Sequence, residues 1–239
     1  RALPVIGLAV LFSVLLMIPL RPSQAIISFP CDFIVIAYAL GLLRMFTVLA
    51  ALDTGSSFEG MGASREVLFA LLAEAAFLVS LGALAWSLGH LSLSSILSEV
   101  NTKTWSGHSA VFTLVTLSLA FVFLAENARI PIDDPNTHLE LTMIHEVMIL
   151  DHSGPDLAFI LYSAALKLWV FGCILMSVLI PFRSDHIWTD KLILLTGMII
   201  LAVLVGVIES AMARLRLFHV PRLLAGALLL SIVALMVET

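Results

Sequence analysis

Charge is scarce in this 239-residue chain. Asp, Glu, Lys and Arg together make up 12% of it. A water-soluble domain cannot cover its surface with so little charge, so a soluble globular fold is excluded. Cysteine is nearly absent as well. The two present, Cys31 and Cys173, share no short spacing and lie in or beside apolar segments. That pattern excludes a disulfide framework and a cysteine-ligated metal or iron–sulfur site. No internal repeat, low-complexity tract or alternating barrel pattern is visible, which removes repeat arrays and β-barrels. No nucleic-acid partner is expected.

What is there is hydrocarbon-soluble. Hydrophobic residues make up 61% of the chain and its mean hydropathy is +1.11. Apolar runs of roughly 20 residues, enough to cross a bilayer, recur along its length. The pattern predicts seven spans: Leu3–Leu20, Phe33–Leu52, Arg65–Gly89, Ser109–Glu126, Pro155–Phe182, Ile187–Ala211 and Pro221–Val237. They are helices, because backbone facing lipid must satisfy its own hydrogen bonds. The expected fold is therefore an all-α, polytopic transmembrane protein with a single domain over 1–239. Leu3–Leu20 is too long for a cleavable signal peptide, and no small-residue cleavage site follows it. The chain opens at Arg1 rather than Met, so a further N-terminal piece is expected before it.

Orientation follows from Lys and Arg. Arg1, Arg65, Arg129, Arg214, Arg216 and Arg222 fall on one side, and Arg21, Lys103, Arg183 and Lys191 on the other. The excess places the first set in the cytoplasm. The loops 53–64, 125–154 and 212–220 share that side. The loop 90–108, with Trp105 as an interfacial anchor, faces outward.

Four of the charges within spans call for a partner: Arg44, Glu74, Lys167 and Glu209. Each costs about 2.5–3.5 kcal/mol at a helix centre, so each needs a partner or a wet cavity. Glu74 lies about 13 Å beyond Arg65 at helical rise. Arg44 enters from the same face to similar depth, so an Arg44–Glu74 ion pair is available. A paired Glu74 is structural, whereas an unpaired one can cycle a proton. Glu209 can also snorkel toward water.

The remaining ionisable groups gather in the connection 125–154, AENARIPIDDPNTHLELTMIHEVMILDHSG. Pro131 and Pro135 break regular helix. Asp134 before Pro135 reads as an N-cap, and a short amphipathic helix is expected from Pro135 to Leu150. His138, Thr142 and His145 form one stripe of it, with Glu146 alongside. Arg129 is within pairing reach of Glu126 if that turn is helical. These acids and histidines are read as groups that handle protons and dock a partner; the competing reading is a solvated loop. His145-Glu146 begins like a zincin motif, but Ile149 stands where the second His belongs, so no metal site is expected.

Three ordered stretches carry a resemblance: LDTGSSFEGMGASRE at Leu52–Glu66, AENARIPIDDP with LEL and DHSG in the connection, and ESAMARLRL at Glu209–Leu217. They are similar to segments of the family of complex I subunit 1, a membrane subunit of NADH:quinone oxidoreductase. The similarity is greatest to the group 4 NiFe hydrogenase members, formate hydrogenlyase subunit 4 and hydrogenase-4 component C. The resemblance implies an eight-span membrane subunit joining a cytoplasmic redox arm to antiporter-like membrane subunits. It implies a bacterial or archaeal cytoplasmic membrane. It also implies partners: hydrogenase-like large and small subunits that carry the NiFe centre and Fe–S clusters, with no cofactor in this chain.

By motif, Glu126, Arg129, Asp133 and Glu140 occupy the family's charged positions, and Asp151 replaces a glutamate. Glu74, Glu146, Lys167 and Glu209 complete the expected proton or coupling path. Asp134, His138, His145 and His152 are the expected docking residues. Asn136 and His138 stand where complex I has glutamates, and the connection is longer between Leu141 and Asp151. The family's first span and its Arg-Gly-Pro loop have no counterpart here. These departures argue against a complex I-type quinone site.

The function expected is a non-catalytic, energy-coupling subunit of an oxidoreductase complex that moves protons or sodium. The alternatives are a passive anchor of the redox arm, a quinone-chamber subunit, and a stand-alone secondary transporter. Transporters usually show internal repeats, and none is visible here.

Overall fold

The computed structural model describes residues 2–20, 24–133, 144–150, 152–184, 186–212, 215 and 217–238. Among them nine α-helices follow in order, with no strand: α1 (Ala2–Met17), α2 (Asp32–Asp53), α3 (Ser57–Leu88), α4 (Leu93–Glu99), α5 (Thr102–Gly107), α6 (Ser109–Glu126), α7 (Pro155–Leu179), α8 (Ile187–Ala211) and α9 (Val220–Glu238). Single 3-10 turns sit at Glu146–Ile149 and Leu217–His219. Six helices are long and apolar enough to cross a membrane, and α1 is a shorter apolar helix. The long helices keep Pro to their first turns, as at Pro4, Pro155 and Pro221, where no intrahelical N–H is lost.

The helix α3 is the centre of the bundle. It packs on α2, α6 and α9, while α1 packs on α2 and α7, and α8 leans mainly on α7. Phe77, Leu81 and Leu84 of α3 meet Phe112 and Val115 of α6 in the main apolar core. A buried hydroxyl chain crosses three helices: Ser80 Oγ donates to Ser118 Oγ at 3.1 Å, and Ser118 Oγ donates to the Ala227 carbonyl at 2.8 Å.

Three features depart from the sequence reading. First, α3 starts at Ser57, so only Thr54–Ser56 separates it from α2 rather than a loop through Ser64. Its 32 residues extend roughly 48 Å, well beyond a hydrocarbon core of about 30 Å. Two glycines make this first part a poor helix former. Tertiary packing decides instead, because Ala63 is buried with Val147 and Met148.

Second, the connection 90–108, read as a loop, contains the two short helices α4 and α5. The Leu93 N–H and the Ser92 hydroxyl both donate to the buried Asp32 carboxylate, at 2.6 and 2.9 Å. Third, Trp105, expected as an interfacial anchor, is half-buried against the bundle. Its Nε1 donates to the Val178 carbonyl at 3.0 Å and its ring rests against Phe112. A satisfied indole N–H is what permits that burial.

Of the helix expected from Pro135 to Leu150, residues 135–143 lie outside the described residues. The described part, Ile144–Leu150, is a turn followed by one round of 3-10 helix. It docks on Gly62 of α3. A methyl group there would lie 2.2 Å from Val147 Cγ1 and 3.0 Å from the Ile144 carbonyl. The substitution Gly62→Ala should therefore lift this segment off α3 and destabilise the protein by about 1–3 kcal/mol, the range for overpacking. Limited proteolysis at 144–149 and the melting temperature in detergent check this. Wild-type behaviour in both would show that the segment is not clamped at Gly62.

Candidate functional site

The site is assembled by α2. Arg44 lies nine residues before the end of that helix, is only 6% exposed, and faces three carboxylates. Its Nε stands 3.3 Å from Glu66 Oε1. Its Nη1 donates to Glu74 Oε1 at 2.7 Å, and its Nη2 donates to Glu126 Oε2. Lys167 of α7 places Nζ 2.9 Å from the same Glu126 oxygen. Four helices thus contribute to one ion cluster. A planar guanidinium with a fork of five donors suits such sharing, where a lysine would offer a single point charge.

Burying these ions costs several kcal/mol each, offset only where every charge finds a close partner. Glu126 achieves that most fully. It closes α6, is buried, and touches both cations. Counted together, Glu66, Glu74 and Glu126 exceed Arg44 and Lys167 by one negative charge.

Beside the cluster lies a cavity of about 280 Å³, with Arg44, Thr47, Glu66, His145, Ser163 and Lys167 on its polar side. Ile160, Leu161 and Leu168 form its apolar side. Its roof is the polar connection, which contributes Asn127, Arg129, His145 and Glu146.

His145 is half-buried in that roof. Burial pushes its pKa below the ordinary 6.5, with Glu66 pulling upward, Lys167 downward, Asp133 upward and Arg44 downward. It is therefore neutral at pH 7. The sign for stability follows. Below pH 6.5 an unfolded chain takes up a proton that the folded one refuses, so the unfolded state gains. Stability should fall as pH drops from 6.5 to the lowered folded pKa, by up to about 1.4 kcal/mol per pH unit. His145→Gln removes that slope. Melting temperatures of both proteins between pH 7.5 and 5.5 check this, and parallel curves would remove His145 as the source.

The expected partners of Arg129 are not the ones it finds. Instead of Glu126 or Asp133, its Nη1 lies 3.2 Å from Glu209 Oε1 of α8. The chain leaves helical geometry right after Glu126, with Ala128 at φ 48°, so the three-residue spacing no longer brings the side chains together. Glu209 is thereby held in a partly exposed pair. Asp133 is buried and serves as a backbone cap. Its Oδ2 accepts the N–H groups of Ile144 and His145 at 3.2 and 3.0 Å. His152 follows the 3-10 turn, its N–H donating to the Ile149 carbonyl at 3.1 Å. Asp134, His138, Glu140 and Asp151 lie outside the described residues.

Glu66 is a member the sequence reading passed over. It ends the LDTGSSFEGMGASRE stretch, and its signal was the motif itself: a carboxylate at the point where α3 enters the apolar layer. Thr47 and Ser163, which line the cavity, carried no signal. Among the described residues no three His, Cys, Asp or Glu side chains converge as metal ligands. What the arrangement offers is proton and charge handling: carboxylates held by shared cations, next to a partly polar cavity, under a polar roof.

The fold and this site define a class: a multi-pass helical membrane protein with an intramembrane ion cluster. The chain belongs to the NADH dehydrogenase family, that of complex I subunit 1, whose model matches residues 1–239. Two relatives from Escherichia coli (strain K12) are each 31% identical to it. Hydrogenase-4 component C aligns over 190 residues, 77% of this chain and 58% of the relative. Formate hydrogenlyase subunit 4 aligns over 198 residues, 80% of this chain and 63% of the relative. The chain therefore spans about six tenths of the length of these relatives. Among solved structures, a chain from the membrane-bound sulfane sulfur reductase, an archaeal respiratory membrane complex, shares the fold with a TM-score of 0.78 and 16% identity. The match covers 99% of this chain and 78% of that one.

Proposed function

We propose that this protein is the energy-coupling membrane subunit of a hydrogenase-like or complex I-like oxidoreductase. The observation that carries the proposal is the sharing of Arg44 by Glu66, Glu74 and Glu126, with Lys167 on the same Glu126 oxygen, directly under the polar connection. In a low-dielectric setting, displacing one member changes the field on all the others. A redox arm docked on the connection from the cytoplasm would move His145, Glu146 and Glu66 when it changes charge. The cluster would answer by releasing or taking up a proton, which the antiporter-like neighbours pass on; sodium is the alternative ion. The NiFe centre and Fe–S clusters belong in the arm, and the proposal requires no quinone.

One observation favours the passive-anchor alternative: Glu74 is paired with Arg44, the arrangement in which it is structural. Two measurements separate the readings. The complex purified around this chain and placed in liposomes should couple electron transfer to ion uptake, and this chain alone should do neither. An isolated chain that transports ions by itself would overturn the subunit reading. A complex that transfers electrons with no ion uptake under any condition would favour the anchor.

A further inference from the structure

We infer that the outer face shared by α2 and α3 seats a transmembrane helix of a neighbouring subunit, and that this helix presents a Lys or Arg side chain to Glu74. The inference rests on the reading of the chain as one subunit of a membrane complex.

Glu74 is the open edge of the ion cluster. Its side chain is 39% exposed, against 6% for Arg44 and 3% for Glu126. It lies outside the lining of the cavity and shares its helix face with the exposed Val67 and Leu71, so its exposure is to the outside of the bundle. Glu74 Oε1 takes Arg44, while its Oε2 accepts nothing among the described residues. The residue sits near the middle of α3, roughly 25 Å from Ser57 and 21 Å from Leu88 at helical rise. A glutamate side chain is too short to reach water from there. Lipid tails offer neither a counter-charge nor a hydrogen bond.

With all three carboxylates ionised, the cluster carries one negative charge too many, and Glu74 is where that excess meets the surface. A cation is what the site lacks. None of the described residues of this chain supplies it.

The surroundings fit a helix. Tyr38, Leu42 and Met45 of α2 and Val67 and Leu71 of α3 are all exposed, one turn apart along their helices. Between them, Gly41 makes room for the carboxylate; a Cβ there would stand 2.9 Å from Glu74 Oε1. The result is an apolar two-helix face with one anionic notch. A helix that is apolar except for one basic residue at matching depth complements both.

The test uses the whole complex in its native membrane. Leu71→p-benzoylphenylalanine places a photo-crosslinker one turn from Glu74 without touching the ion cluster. Irradiation followed by mass spectrometry should yield an adduct with a hydrophobic span of another subunit, with a Lys or Arg within one turn of the captured residue. Replacing that base by Met, or Glu74 by Gln, should each lower the yield of assembled complex at least fivefold. The two together should restore it to within twofold, because neither charge is then left unpaired. Capture of lipid alone, capture of a span without a basic residue, or single replacements without effect would each overturn the inference. The broader reading fails separately: it falls only if the chain elutes without other subunits before irradiation, which also overturns the inference.

Discussion

Arg44→Ala should remove most of the protein from the membrane. Its loss leaves Glu66, Glu74 and Glu126 facing one another with only Lys167 nearby. Removing one partner of a buried ion pair costs about 3–5 kcal/mol, since the other charge stays buried and uncompensated. Folded proteins hold only about 5–15 kcal/mol in total, so a loss of this size shows as poor accumulation. Arg44→Lys keeps the charge but cannot reach three carboxylates from one point, so it should rescue only part of the yield. Immunoblots of membranes and melting temperatures of the solubilised protein report both effects. Normal accumulation of Arg44→Ala with an unshifted melt would show that the three carboxylates do not depend on Arg44.

Glu126→Gln should separate assembly from coupling. Glutamine has the shape of glutamate and can still accept a hydrogen bond from Arg44 or Lys167. It carries no charge and takes no proton. Glu126 is the one described residue that touches both cations, so its neutralisation breaks the link between α2 and α7 inside the cluster. The complex should assemble in reduced amount and still pass electrons to an artificial acceptor. Ion uptake into liposomes should fall more than tenfold. Lys167→Gln should give the same phenotype, and the double variant should be no worse than either single, as residues in one network are not additive. A Glu126→Gln complex that takes up ions at the wild-type rate would exclude this residue from the path.

Much of the fold could be read from the order of residues, because a bilayer imposes local demands. Any run of roughly 20 apolar residues must be a helix to satisfy its own backbone, wherever the other helices lie. The seven expected spans accordingly match α1, α2, α3, α6, α7, α8 and α9 to within three residues at their ends, save that α3 starts eight residues before Arg65. The intramembrane charges Arg44, Glu74, Lys167 and Glu209 stood out for the same reason: each is costly anywhere in lipid, so composition alone marks it. The reach of Arg44 to Glu74 was within sequence reading too, as adjacent antiparallel spans bring equal depths together.

The bundle decided the rest. Depth along a helix is a matter of counting residues, but the direction a side chain points depends on how each helix is rotated and which helix stands beside it. That is why Arg44 also reaches Glu66 and Glu126, and why Glu126 turns inward to Lys167 of α7. It is why Arg129 finds Glu209, 80 residues away, and not its neighbours along the chain. The early start of α3 and the half-burial of Trp105 have the same origin, since both are held by groups distant in sequence. The sequence determined that this protein crosses the membrane and carries ions within it. Only the packing of α2, α3, α6 and α7 determined that those ions form one cluster, because close packing sets the helix rotations that a hydropathy pattern leaves open.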